Sequence, residues 1–97
     1  MIERIAKNEA RLDNVLVSIK NLEKALTAFK QTKKDLILLN KYYGSKNWLI
    51  DKEKYENNKL PKTKAGVLSE DAVWNMLEDI KDLIKKMEKT TIEYSKL

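Results

Sequence analysis

The first forty-three residues carry an apolar repeat of 3.5 positions. Counting in sevens from Ile5 reaches Leu12, Ile19 and Leu26. The positions three residues on are Asn8, Val15, Leu22 and Phe29, continuing to Leu36 and Tyr43. Such a stripe is the signature of an amphipathic helix with a coiled-coil-like seam. Leu16 and Ile37 widen it on one side, and no Gly or Pro interrupts it before Gly44, a residue suited to ending a helix. The pattern predicts a helix over about 2–43, roughly 63 Å long if continuous. Its one weak stretch is Gln31 to Lys34, where Lys33 takes an apolar place in the register. Ser45 then suits the cap of a short helix over about 46–56, with Trp48, Leu49 and Tyr55 on its apolar side. A polar loop over about 57–68 follows. Pro61 holds Leu60 away from helix, and Gly66 permits a turn. Ser69-Glu70-Asp71 reads as a helix start, its two carboxylates at the positive end of the dipole. The last helix, over about 70–96, has Val73, Ile80, Met87 and Tyr94 in one register. Met76, Leu83, Thr90 and Leu97 lie three on, broadened by Leu77 and Ile84.

No segment reads as a strand. The expected fold is all-α and single-domain: a long antiparallel helical hairpin, coiled-coil-like, with the short third helix packed across its turning end. The expected shape is elongated, because a compact domain of 97 residues has a radius of gyration near 13 Å.

Composition narrows the chemistry. There is no Cys and no His, so thiolate chemistry, disulfides, zinc ribbons and imidazole acid–base work are excluded. The longest uncharged apolar run is Leu36 to Leu39, far short of the ~20 residues of a membrane span. No secretory signal is visible at the N-terminus, and the expected setting is cytoplasmic. Net charge is +5, and 18 of the 20 basic residues are Lys. It is unevenly placed: +1 over residues 1–29, +6 over 30–64 and −2 over 65–97.

The middle of the chain carries the run Tyr42-Tyr43-Gly44-Ser45, then Trp48, then Leu60-Pro61, then Gly66-Val67-Leu68-Ser69-Glu70-Asp71. With the long amphipathic helices on either side, this pattern resembles a family of small bacterial proteins classed as a domain of unknown function. The resemblance covers nearly the whole chain, and the GVLSED block is its most specific part. Ala72 stands where the family is associated with Gly. The resemblance implies an all-helical fold and a bacterial cytoplasmic setting, and it assigns no activity and no functional residue.

Each candidate site competes with a plainer reading. Ser69 and the amides after it could accept an anion, but Glu70 and Asp71 would repel it, and a simple helix cap is favoured. Trp48, Trp74, Tyr42, Tyr43 and Tyr55 could form a stacking platform for single-stranded nucleic acid. It would be edged by Lys46, Lys52, Lys54, Lys59, Lys62 and Lys64. The favoured alternative is that the rings form the core where helix ends meet, with the lysines as solvated cover. Glu78 and Asp82 lie four apart on one helix face and could share a divalent ion, although two carboxylates without a loop make a weak site. Lys81, Lys85 and Lys86 offer ordinary partners. A thin hairpin provides little concavity for an enzyme site, so the chain is read as a non-enzyme without cofactor or small-molecule substrate.

The breadth of the stripes points to association. Leu16, Ile37, Leu38, Leu77 and Ile84 exceed what one two-helix seam buries. The expected function is a non-enzymatic cytoplasmic protein-interaction module that pairs with itself or with a partner's helix. The runner-up is weak nucleic-acid binding through the lysine-rich turning end, residues 30–64.

Overall fold

A computed structural model describes residues 1–97. It contains helices and no strand: α1 (Ile2–Gln31), α2 (Lys33–Tyr42), α3 (Lys46–Glu56) and α4 (Glu70–Ser95), with a short 3₁₀ turn at Gly66–Leu68 before α4. Two compact units divide the chain, Met1–Leu38 and Leu39–Leu97.

The first unit holds α1 and the start of α2. Glu3 in the first turn of α1 and Lys30 in its last complement the helix dipole. The helix expected over about 2–43 is interrupted at Thr32. The Thr32 hydroxyl donates to the Phe29 carbonyl at 2.7 Å and its amide reaches the same oxygen at 3.0 Å, tightening the turn. Thr32 keeps right-handed helical backbone angles (φ −81°, ψ −6°), and the next turn resumes with the Leu36 amide on the Thr32 carbonyl at 2.8 Å. A hydroxyl competing for a backbone carbonyl is a known source of such local departures. The interruption falls within the weak stretch of the register.

The second unit owes its turns to local chemistry. Gly44 takes φ +76°, a left-handed conformation that costs a residue with a Cβ. The Ser45 side chain then accepts from the Trp48 amide at 3.2 Å and starts α3. At the far end of α3, Asn58 adopts φ 56°. The Asn58 amide bonds the Tyr55 carbonyl at 3.1 Å, and the Lys59 amide bonds the Lys54 carbonyl at 2.9 Å. This is the Schellman closure, with Asn in the role Gly usually fills. Ser69 caps α4 by accepting from the Asp71 amide at 3.2 Å.

The core of this unit is small. Trp48, Leu68 and Val73 are its buried residues, one each from α3, the 3₁₀ turn and α4. Leu60, Ala65, Val67, Met76, Leu77 and Ile80 are half-buried. The Leu60–Leu68 segment thus turns its apolar residues Leu60, Ala65, Val67 and Leu68 inward.

Candidate functional site

The quoted middle-chain pattern gathers around Trp48. The indole Nε1–H donates to the Val67 carbonyl at 2.9 Å, fastening the 3₁₀ turn to α3. The Tyr43 ring meets the indole edge-on, centroids 5.3 Å apart and planes at 72°, a favoured aromatic geometry. The Tyr43 hydroxyl donates to the Glu70 carbonyl at 2.6 Å, tying the chain just after α2 to the first turn of α4. The Lys52 Nζ lies 5.1 Å from the indole centroid, within cation–π range, and is ion-paired with Glu70 and, at 3.9 Å, with Glu56.

Two electrostatic consequences follow. The hydrogen bond to Glu70 raises the Lys52 pKa, aided by the Glu70 charge and opposed by burial. The Lys52 hydrogen bond and charge hold the Glu70 carboxyl below its ordinary value. Beside this node, the Tyr42 hydroxyl donates to Asp51 Oδ2 at 2.6 Å. That bond, then burial, then the Asp51 charge push the Tyr42 phenol up to about 12. An ionised phenol would lose its donor hydrogen and face a carboxylate.

These contacts consume the groups a binding site would use. Trp48 is 5% exposed with its N–H engaged, so its faces are not open to a stacked base. The core reading therefore describes Trp48. It does not describe Trp74, expected beside it and found 56% exposed: Val73, its neighbour on α4, takes the inward direction, and the next residue on a helix points about 100° away. Tyr55 is also exposed. Of the six lysines, Lys46, Lys54, Lys59, Lys62 and Lys64 are exposed, and Lys52 is half-buried and paired. Ser69 Oγ is occupied by capping, as the plainer reading holds. Glu78 binds Lys81 at 3.1 Å, and no group of three or more carboxylates is placed to hold a metal ion.

The residues proposed for partner contact lie on open helical faces. Leu16 on α1, Ile37 and Leu38 on α2, and Ile84 on α4 are exposed, and Leu77 on α4 is half-buried. In α1 no residue is buried. Its stripe positions range from 41% exposed at Phe29 to 68% at Leu22. On α4, Leu83, Ile84, Met87 and Ile92 are exposed as well, and the last three line a shallow apolar depression with Glu88 and Thr91. The sequence pattern carries little sign of the side-chain bonds that lock the node. Only Tyr42–Asp51 had a faint signal, a hydroxyl and a carboxylate nine residues apart across a glycine turn.

No helix is long and apolar enough to cross a membrane. No curated protein and no solved structure matches the chain. A family model described as Domain of unknown function (DUF4298) matches residues 5–90, a span that takes in the first amphipathic stripe, most of the second and the whole Trp48 node, and the chain belongs to that family.

Proposed function

We propose that this protein is a non-enzymatic protein-interaction module of the bacterial cytoplasm whose apolar helical stripes are its working surface. The observation that carries the reading is the state of α1: thirty residues with a sustained 3.5-residue apolar repeat and no buried side chain. Contiguous apolar surface on this scale marks a face that another protein surface covers. In this reading the stripe of α4 folds against that of α1 and α2 as an antiparallel, coiled-coil-like hairpin, with α3 across the turning end. The opposite net charges of residues 30–64 and 65–97 favour that pairing. Leu16, Ile37, Leu38, Leu77 and Ile84 flank the seam and take the partner.

The reading is tested by affinity capture of the tagged protein from its native cells, with and without nuclease, across a salt series. A near-stoichiometric protein, or the chain's own untagged copy, that persists through nuclease and moderate salt supports it. Nucleic acid released by raising salt, as counterion release demands, overturns it in favour of the lysine-rich segment.

A further inference from the structure

Two adjoining recesses open on the second unit and share Tyr55 and Glu56 as a common wall. The first has a volume of about 510 Å³. Its floor is apolar: Leu68 is buried there, and a Cβ added at Gly66 would meet no atom within 4 Å. Its rim carries the carboxylates of Glu56, Glu70 and Asp71 against one ammonium, that of Lys52. Three negative charges and one positive leave −2, in a chain whose net charge is +5. The bonds of the Trp48 node do not close this balance. Lys52 answers Glu70 and reaches Glu56 at 3.9 Å, whereas Asp71 is in none of the ion pairs. Asp71 gives its amide to the Ser69 cap and keeps its carboxylate for the recess. The second recess, about 540 Å³, is walled by Leu60 and Pro61 and carries one charge of each sign, Glu56 and Lys62.

The form of the first recess selects its ligand. A concave wall of one sign with an apolar floor focuses its field and favours a cation. A metal ion is not that cation, because the three carboxylates do not converge closely enough to hold one. Carboxylates spread around a recess of this volume suit a larger, organic cation. A guanidinium matches best: it is planar and weakly hydrated, pairs with carboxylates through several N–H donors, and stacks on an aromatic ring, which Tyr55 supplies. We infer that the second unit binds an arginine-bearing peptide segment of a protein partner here. The guanidinium lies among Glu56, Asp71 and Tyr55, and an adjacent apolar side chain packs against Leu60 and Pro61. The second recess is what favours a peptide over a free amine, because it seats an apolar side chain that a polyamine lacks. This site lies outside the apolar stripes proposed above as the working surface, and it does not depend on how those stripes are covered.

The test is a titration of the full-length, isotope-labelled chain with the capped hexapeptide Ala-Ala-Arg-Leu-Ala-Ala, followed through amide chemical shifts. Saturable shifts are expected at Tyr55, Glu56 and Gly66 to Asp71, with a Kd of about 1 mM or below. The same peptide with citrulline for arginine keeps the shape and loses the charge, and it binds about tenfold more weakly or worse. Asp71→Asn, at an exposed position, weakens binding about threefold or more. Gly66→Leu fills the recess and abolishes binding, while its thermal melt shows the fold intact. Should Gly66→Leu fail to fold, the Asp71→Asn and citrulline arms decide. Equal binding of the arginine and citrulline peptides overturns the site. So does an absence of shifts at these residues in millimolar peptide, or shifts confined to Leu83–Tyr94, where the apolar stripe alone would be binding. Spermidine that shifts the same amides as tightly as the peptide overturns the assignment of a peptide.

Discussion

Replacing Trp48 by Ala removes the one large side chain at the centre of the second unit. Burial of a large aromatic in a packed site is worth about 3–5 kcal/mol against Ala, and at 5% exposure Trp48 is close to that limit. Two further losses accompany it. The Val67 carbonyl, bonded at 2.9 Å by the indole N–H, is left without its partner at about 1 kcal/mol. The Lys52 ammonium also loses the ring beneath it. Set against the 5–15 kcal/mol by which small proteins are stable, the total unfolds most of this unit under mild denaturant. The assay is urea unfolding followed by far-UV circular dichroism, which reads every variant alike whether or not it keeps an indole. Trp48→Phe, which keeps a ring and loses the N–H, falls between wild type and Ala. Trp74→Ala, at an exposed position, shifts stability by less than about 1 kcal/mol. A Trp48→Ala midpoint equal to wild type, or a Trp74→Ala loss as large as that of Trp48→Ala, would refute the packing argument.

Three other outcomes are expected. In an alkaline absorbance titration the Tyr42 phenol ionises at about 12, and Asp51→Asn returns it toward its ordinary 10.0. Because the folded value is the higher, the stabilisation is complete below pH 10 and fades as pH rises toward 12, which the unfolding midpoint will show. For Glu70 the folded value is the lower, so its stabilisation is present above the ordinary carboxyl value and fades as pH falls through the depressed one. Glu70→Gln removes that part of the acid dependence and the salt sensitivity of the Lys52 pair, measured by unfolding at two ionic strengths. Gly44→Ala costs about 1 kcal/mol at φ +76°, although no atom lies within 4 Å of the added Cβ; Gly66→Ala, equally uncrowded and without a positive φ, is tolerated, as parallel thermal melts will record.

The helical class, the helix starts at Ser45 and Ser69 and the stop at Gly44 were legible because each follows from a side chain acting on its own neighbourhood. A hydroxyl three residues from an amide, or a glycine after the last apolar position, carries its meaning locally. The interruption at Thr32 was legible only as a weak stretch, because whether a hydroxyl diverts a carbonyl or points to solvent depends on one rotamer. The Schellman closure at Asn58 was hidden, since Asn-Asn-Lys reads as loop whatever its backbone angles. Trp48 and Trp74 carried the same signal and differ only in which side of their helix faces the 3₁₀ turn.

Composition and periodicity by themselves determined that the chain is helical, that cysteine and imidazole chemistry are closed to it, and that it carries two long apolar stripes. These are properties of residue type and spacing, and they survive any arrangement of the helices. The tertiary structure alone decided that Trp48 and not Trp74 is the core, that Lys52 answers Glu70, and that Tyr43 holds the first turn of α4. Those contacts join residues 18 to 27 positions apart. At such separations the chain between sets where each group arrives, and a local pattern carries no record of that.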